Sequence, residues 1–214
     1  RVWLPHDMLA ATGAMVSRWD MGAHLASAIE PTGCPGQTGM GAGFSGRQFR
    51  FSKKGGTAVG KTKVGKGSKV MVVVDGHGLP LGLHVDSAQP HELKLAGATL
   101  DTIRVPQVRG RPHTRPAELI ADKAYDSREF RQALRKRGIK PTIPTYQRRK
   151  DAKPKSGRPI RVGSGYRNRW IVERCFGWMD NCRRLVVRYE RYGHLYKAFC
   201  LIAAILWCIK AILK

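Results

Sequence analysis

The stretch VMVVVDGHGLPLGLHV, residues 70–85, decides the fold class of this chain because it predicts a β-hairpin. Residues 70–74 are apolar and mostly β-branched, which is typical of a buried strand. The DGHG sequence at residues 75–78 has the composition of a tight turn, and residues 81–85 supply a second apolar strand. We therefore expect two antiparallel strands at the start of a sheet.

The pattern downstream of the hairpin alternates helices with short strands. The predicted elements are a helix over residues 92–102, a buried strand over 119–121, a helix over 126–137, a strand over 141–144, and two helices over 166–185 and 194–213. Asp126 and Glu129 form a capping pair for the second of these helices, and Gly138 closes it. This order predicts an α/β fold in which a mixed sheet is flanked by helices.

The first part of the chain is predicted to be irregular. Residues 1–52 contain the cluster PTGCPGQTGMGAGFSG and show little periodicity, so we expect a poorly ordered arm there and a folded domain over residues 53–214. Residues 55–62 match the Gly-x4-Gly-Lys-Thr string of a phosphate-binding loop. Because this string follows basic residues rather than a buried strand, and leads into more Gly and Lys, we do not expect an NTPase loop.

The chain is strongly basic, and its charge is unevenly distributed. It has 39 Lys and Arg against 15 Asp and Glu, and residues 104–191 alone hold 25 against 8. Clustered basic residues release counterions from a phosphate backbone, so this excess favours nucleic acid as a partner. An acidic membrane surface and a solvated face kept for solubility are the alternatives.

Cysteine spacing and hydropathy indicate a cytoplasmic protein without a membrane partner. The five cysteines form no Cys-x-x-Cys pair, and no His lies at zinc-finger spacing from them, so we expect reduced thiols. The opening RVWLPHDMLA has no continuous apolar run, so no signal peptide is expected. The apolar stretch 198–213 contains Lys210 and is short for a membrane span, so it predicts a buried helix instead.

The predicted helix over residues 166–185 has two faces of different character. Its core stripe comprises four positions at helical spacing, Ile171, Cys175, Trp178 and Cys182. Its opposite face presents four polar or aromatic side chains, Tyr166, Arg169, Glu173 and Asp180. A lone Glu with arginine neighbours is ordinarily a solvated helix charge, so the pattern alone leaves its role open.

Several motifs taken together resemble those of DDE transposases from bacterial insertion sequences, a family with an RNase H-like fold. Tyr166, Arg169 and Glu173, in YRNRWIVERCFGW, match the Y-(2)-R-(3)-E signature of that family. The stretch LIADKAYDS, with Asp122 after an apolar strand, resembles the second acidic motif. Residues 70–92 resemble the hairpin between the first two acids, and RRLVVRYERYGHLYKAFCLIAAI resembles the end of the family's catalytic domain.

The resemblance implies an enzyme that cuts and joins double-stranded DNA, at transposon ends and target, with the help of Mg²⁺ or Mn²⁺. It implies that Asp122 and Glu173 are the second and third catalytic acids and ligands of the metal. It also implies DNA contacts from Tyr166 and Arg169 near the scissile phosphate. The basic surroundings extend the expected DNA contacts to Arg167, Arg174, Arg148, Arg149 and Lys150. A homo-oligomer, located in the bacterial cytoplasm and at the nucleoid when bound to DNA, is implied as well.

Two positions depart from the family pattern. The signature's later Lys is replaced by Asp180. The first acid is expected on a strand before the hairpin, in a motif resembling D-G-S-F…KKGG, whereas this chain reads FSGRQFRFSKKGG and has no Asp between Asp20 and Asp75. Asp75 belongs to the predicted turn, where an Asp is ordinary, and its position does not match that of the first acid.

A shift of reading frame accounts for the missing acid. Read one nucleotide later, the codons of MGAGFSGRQFRFSKKGG are compatible with WARASVDGSFVSAKKGG, in which an Asp arises at Gly46. We hypothesise that the residues before about Lys53 are translated out of frame, through programmed frameshifting or an inactivating mutation. This polypeptide alone then lacks a complete active site.

Other functions share part of this evidence. A catalytically inactive DNA-binding remnant or regulator derived from a transposase has the same fold and partner, and differs only in whether three acids converge. An RNA-binding or ribosome-associated protein explains the charge, but not the Tyr-Arg-Glu face or the strand that ends at Asp122. An RNase H-like nuclease shares the chemistry and is separated only by the family resemblance.

Overall fold

The computed structural model of the protein describes residues 40–107, 110–145 and 163–213, and a mixed sheet lies at their centre. The strands in these residues are β1 (Ala42–Ser52), β2 (Gly60–Thr62), β3 (Gly65–Val74), β4 (Pro80–Ser87), β5 (Glu118–Ile120), β6 (Lys140–Thr142) and β7 (Val187–Arg188). The helices are α1 (Glu92–Leu100), α2 (Arg128–Lys136), α3 (Trp170–Asp180), α4 (Arg183–Val186) and α5 (Gly193–Ile212). Two 3₁₀ turns cover Lys123–Tyr125 and Ser164–Arg169.

Strand β1 is the central strand of the sheet, whose order is β2-β3-β1-β5-β6. It pairs antiparallel with β3, from Phe44 opposite Val74 to Phe51 opposite Gly67. It pairs parallel with β5, where Phe44 lies opposite Ile120. Strand β4 pairs antiparallel with β3, β6 runs parallel to β5, and β7 runs parallel to the end of β1. The predicted α/β class, a mixed sheet flanked by helices, is confirmed.

Strand β3 is buried on both faces, because helices pack against each side of the sheet. Val70, Val72 and Val74 belong to the hydrophobic cluster that contains the buried residues of α3 and α5. Met71 and Val73 belong to the cluster that contains the buried residues of α1 and α2. Because successive strand residues point to opposite faces, a strand covered on both sides needs a continuous apolar run, and the stretch at residues 70–74 supplies it.

The predicted boundary of the irregular segment at residue 52 is wrong, because Ala42–Ser52 forms β1. The Gly and polar content of this stretch hides the strand from a reading based on hydrophobic periodicity. Its backbone nevertheless pairs with β3 over residues 44–51, and on its other side with β5 at residues 42–44 and with β7 at residues 51–52, whatever the side chains are. The rest of the predicted arm, through residue 39, lies outside the described residues.

The predicted N-cap of α2 is wrong by one residue: Ser127, and not Asp126, caps the helix. The Ser127 hydroxyl accepts a hydrogen bond from the Phe130 backbone N–H. The Asp126 carboxylate instead accepts hydrogen bonds from the side chain of Arg131, at 3.0 Å from Nε and 2.8 Å from Nη2. The guanidinium gives the carboxylate two donors and a full positive charge, whereas a helix N-terminus gives backbone N–H groups and only a partial positive charge. Gly138 has a φ of +72° and closes the helix as predicted.

The single helix predicted over residues 166–185 is three elements: a 3₁₀ turn, α3 and α4. The helix ends at Asp180, and Cys182 takes a non-helical conformation with φ −81° and ψ 88°. This change of direction allows Leu185, which is buried, to join the same hydrophobic cluster as α3. Helical periodicity is unchanged by such a break, so the sequence pattern did not reveal it.

Helix α5 has the predicted length but is less buried than the sequence predicted. Tyr196, Cys200 and Ala203 form its buried stripe. Several of its large apolar side chains stay more than two-fifths exposed, namely Leu195, Leu201, Ile202, Ile205 and Leu206. Residues Gly193–Ala211 are long and apolar enough to cross a membrane by length and composition alone, although the buried stripe packs as that of a core helix does.

Two smaller expectations concern residues 60–62 and the cysteines. Residues 60–62 form the short strand β2 rather than the start of a helix, which agrees with the expectation that the Gly-Lys-Thr string is not a phosphate-binding loop. In the part of the chain that the structure describes, Cys175, Cys182, Cys200 and Cys208 are free thiols. Burial raises the pKa of Cys175 and of Cys200 to about 12, as expected for cysteines that serve as small apolar residues.

Candidate active site

Asp122 lies directly beyond the end of β5. Ile120 and Ala121 before it are fully buried, and Asp122 itself keeps an extended backbone with φ −69° and ψ 162°. Its carboxylate accepts a hydrogen bond of 2.7 Å from the Lys123 backbone N–H and so caps the following 3₁₀ turn. The side chain remains 42% exposed, so its oxygens are open to a ligand.

Glu173 lies in the first turn of α3, on the face that points away from the core. Its neighbours Ile171 and Val172 are buried against the sheet, while the Glu173 side chain is 60% exposed. The helix is therefore anchored by its apolar residues and presents the carboxylate to solvent. This placement agrees with the two-faced pattern predicted from the sequence.

Arg169 joins the two acids. Its Nη1 lies 3.9 Å from Oδ2 of Asp122, and its Nη2 lies 3.1 Å from Oε1 of Glu173. Ion pairs with this much exposure contribute about 0–1 kcal/mol each, so Arg169 orients the carboxylates more than it stabilises the fold. The structure thus brings together, around one guanidinium, residues that are 51 positions apart in the sequence.

A close approach between the 3₁₀ turn at Ser164–Arg169 and strand β5 makes this arrangement possible. A Cβ atom added at Gly165 would lie 3.1 Å from Cδ1 of Ile120, which is tighter than ordinary van der Waals contact. Tyr166, next in the turn, is half-buried and packs against the hydrophobic cluster shared by α3 and the sheet. Tyr166 therefore also anchors the turn that carries Arg169.

The basic residues predicted to bind DNA have different surroundings. Arg167 is exposed. Arg174 donates a hydrogen bond of 2.7 Å to the backbone carbonyl of His77, and its guanidinium lies 4.9 Å from the centre of the exposed Trp170 ring. Arg174 therefore ties α3 to the turn of the β3–β4 hairpin. The predicted contacts at Arg148, Arg149 and Lys150 lie outside the described residues.

The two departures from the signature also have structural explanations. Asp180, in place of the later Lys, accepts hydrogen bonds from the Gln48 side-chain amide and forms an ion pair with Arg50 of β1. Asp75 accepts hydrogen bonds of 2.9 and 2.8 Å from the backbone N–H groups of His77 and Leu79. Asp75 thus closes its own turn, which is the ordinary role predicted for it.

Sequence reasoning missed one residue pair that positions the site. Arg131 is buried and holds Asp126 by two hydrogen bonds, and it donates a third of 2.7 Å to the carbonyl of Ile143. These bonds attach the segment after Asp122 to α2 and to the end of β6. The sequence signal was the presence of Asp126 five residues before Arg131, which the reading of Asp126 as a helix cap obscured.

The carboxylates that are present do not form a complete cation site. Mg²⁺ and Mn²⁺ prefer several oxygen ligands, and the reaction class of the resembling family uses three acids. Across residues 40–107, 110–145 and 163–213, no group of three or more His, Cys, Asp or Glu side chains is placed to hold a metal ion. Asp122 and Glu173 supply two of the carboxylates, and Arg169 shares the space between them.

Comparison with known proteins places the chain in a family. The family model described as the transposase DDE domain matches residues 37–208. The chain belongs to the DDE-domain transposases. Among relatives of this transposase domain is a Burkholderia cepacia protein named as a transposase for insertion sequence element IS402, which is 35% identical over 144 residues. That match covers 66% of this chain and 63% of the relative, so the transposase domain here spans less than two thirds of the relative's length.

A solved structure was also found to be similar to this transposase domain. It is the piggyBac transposase in a synaptic complex with hairpin DNA, with a TM-score of 0.47 and 8% sequence identity. The match covers 78% of this chain and 45% of that one. The family assignment rests on the family model and agrees with the resemblance predicted from the Tyr166, Arg169 and Glu173 signature.

Proposed function

We propose that this chain is the catalytic domain of an insertion-sequence transposase, which cleaves DNA strands at transposon ends and joins them to a target, and that the domain is incomplete as this chain stands. The observation that carries the proposal is the position of Arg169 between Asp122 and Glu173. Membership of the DDE transposase family supports the same reaction class.

The residues around the site have complementary roles in this proposal. Asp122 and Glu173 provide oxygen ligands for the divalent cation, Mg²⁺ or Mn²⁺, on which DDE transposases depend. Two adjacent carboxylates repel each other, and Arg169 offsets that repulsion when no cation is bound. Arg169 and Tyr166 are then placed to contact the DNA close to the scissile phosphate.

Double-stranded DNA is the proposed partner. The net charge of +24 and the exposed arginines beside Glu173 support it, because phosphate contacts dominate the affinity of proteins for DNA. Arg167, Arg174, Arg148, Arg149 and Lys150 are the proposed backbone contacts. We further propose that the protein acts as a homo-oligomer in the bacterial cytoplasm, at the nucleoid when DNA is bound. The exposed apolar side chains of α5 support a subunit contact.

Changing Arg167 to Ala is expected to weaken binding to a 40-base-pair transposon-end duplex by about three- to tenfold at 150 mM salt. Removing one phosphate contact should also lower the slope of log affinity against log salt by about one. Fluorescence anisotropy across a salt series measures both quantities. Arg137→Ala is the matched control, because Arg137 is exposed but already paired with Asp101. An equal loss in the two variants would show that only net charge matters.

The direct test of the proposed function is strand cleavage and joining on transposon-end DNA with Mg²⁺. The present chain is compared with a restored chain, in which residues 40–52 are replaced by WARASVDGSFVSA. We expect activity in the restored chain alone, with DNA binding in both. Activity in the present chain would refute its incompleteness. Intact DNA binding without activity in either chain would refute the proposed cleavage function and favour a DNA-binding remnant.

A further inference from the structure

We infer that Gly46 of β1 occupies the place of the missing carboxylate, and that this one residue keeps the chain from assembling a divalent-cation site with Asp122 and Glu173. The inference rests on the proposed function for the identity of the other two acids. Codon degeneracy placed an Asp at this position from the sequence. The register of the sheet leads to the same residue independently.

The register sets Gly46 level with Asp122. Strands β1 and β5 are parallel, and Phe44 lies opposite Ile120. The paired residues end there, but the backbone of Asp122 is still extended, so continuing the register by two residues along each chain places Gly46 beside Asp122. Neighbouring strands are about 4.8 Å apart, so a side chain at position 46 starts beside that of Asp122.

The face of the strand is also the required one. Phe44 and Ile120 both belong to the hydrophobic cluster that contains α3, so residues two positions later in each strand face α3 as well. A Cβ atom added at Gly46 would lie 2.8 and 3.0 Å from the two Cγ atoms of Val172 and 3.2 Å from Cε2 of Phe176. Val172 directly precedes Glu173. A carboxylate at position 46 is therefore directed toward the helix that carries the third acid.

One buried side chain of β1, that of Arg50, is incompletely paired. Strand β1 carries Arg47, which is half-exposed and paired with Glu92, and also Gln48 and Arg50, whose side chains both reach Asp180. Arg50 is only 3% exposed, and its Nε has no hydrogen-bond partner in the described structure. An unsatisfied buried donor is costly. The sequence WARASVDGSFVSA places Val at position 50, which removes this unsatisfied donor.

The test is the binding of Mn²⁺ to the chain without DNA, measured from the loss of the electron paramagnetic resonance signal of free Mn²⁺. Gly46→Asp is expected to bind Mn²⁺ about tenfold more tightly than the present chain, because a third carboxylate adds both a ligand and a negative charge. Adding Glu173→Gln to this variant is expected to abolish the gain.

Two matched controls separate geometry from charge. Gly46→Asn has nearly the size of the test variant but no charge, and it is expected to bind no more tightly than the present chain. Gly41→Asp makes the same chemical change five residues earlier, where an added Cβ meets nothing within 4 Å. It is expected to leave the Mn²⁺ affinity within about twofold, because Gly41 precedes β1 and five residues of extended chain span roughly 16 Å.

A second variant relieves the steric clash between an Asp at position 46 and the side chain of Val172. Gly46→Asp combined with Val172→Ala removes the two closest atoms, and it is measured alongside the single variant with circular dichroism as the check of folding. The inference is overturned if neither variant binds Mn²⁺ more tightly, or if Gly41→Asp binds it as tightly. A gain in Mn²⁺ affinity without DNA cleavage by the restored chain would uphold this inference and refute the proposed function. Cleavage by the restored chain without a gain in Mn²⁺ affinity would uphold the proposed function and refute this inference.

Discussion

Replacing Glu173 with Gln in the restored chain is expected to lower the rate of strand cleavage by about a thousandfold or more, which corresponds to about 4 kcal/mol in the barrier. The amide keeps the shape of the carboxylate and leaves the anchoring residues of α3 in place. It removes one negative charge and halves the oxygen ligands at that position. It also ends the 3.1 Å ion pair with Arg169, so the guanidinium is left with Asp122 alone.

The matched control is Glu129→Gln in the same restored chain. Glu129 is an exposed acid in the first turn of α2, just as Glu173 is an exposed acid in the first turn of α3. The control is expected to cleave within about twofold of the restored chain, and both variants are expected to bind end DNA at least as tightly, because each loses a negative charge. Single-turnover cleavage of labelled end DNA provides the measurement. A Glu173→Gln variant that retains a third or more of the rate would remove Glu173 from the site.

The largest loss of stability is expected from Arg188→Met. Arg188 in β7 is fully buried, and its guanidinium lies 5.7 Å from the centre of the Tyr196 ring. It donates hydrogen bonds to four backbone carbonyls, those of Thr57, Ala58, Glu190 and Arg191. It also donates a hydrogen bond to the hydroxyl of Ser68. One side chain therefore links the loop after β1, strand β3 and the segment before α5.

Removing Arg188 leaves those carbonyls without their donor, and the expected cost is about 3–5 kcal/mol in the free energy of unfolding. For a chain of this size the melting temperature should fall by roughly 10 °C. Urea unfolding followed by tryptophan fluorescence measures the change. Arg188→Lys is expected to lose almost as much, because a single ammonium cannot reproduce the planar fork of donors.

Arg183→Met is the control for the stability experiment, since Arg183 is exposed on the neighbouring helix α4. Its free energy of unfolding is expected to stay within about 0.5 kcal/mol of the parent. A loss below 1 kcal/mol for Arg188→Met would mean that water replaces the guanidinium at these carbonyls. The network would then be dispensable for the fold.

Much of the fold followed from local patterns in the sequence. The apolar run at residues 70–74 predicted a buried strand of a hairpin, and β3 is such a strand, covered on both faces. The two-faced pattern around Glu173 predicted a helix that buries Ile171 and Cys175 and exposes its acid, as α3 does. These predictions succeeded because hydrophobic periodicity reports which face of an element is buried. The family signature added the identity of the acids, which periodicity does not supply.

The predictions that failed concern contacts between distant segments. Strand β1 has no strand-like sequence, and it forms because β3 pairs with most of its backbone and β5 and β7 pair with its two ends. Asp126 was read as a helix cap, whereas Arg131 holds its carboxylate. Helix α5 was expected to be buried, but the described residues cover only one stripe of it. In each case the tertiary structure decides which residues are in contact, and the neighbours in the sequence do not.

The sequence by itself determined the basic charge, the apolar strands, the two-faced helix and the absence of a first acid in the expected motif. Only the tertiary structure decided that Arg169 lies between Asp122 and Glu173, that β1 runs parallel to β5, and that Gly46 faces Val172 of α3. The physical reason is the range of the interactions. Side-chain periodicity is a local property, whereas the register between parallel strands depends on backbone pairing across more than seventy intervening residues.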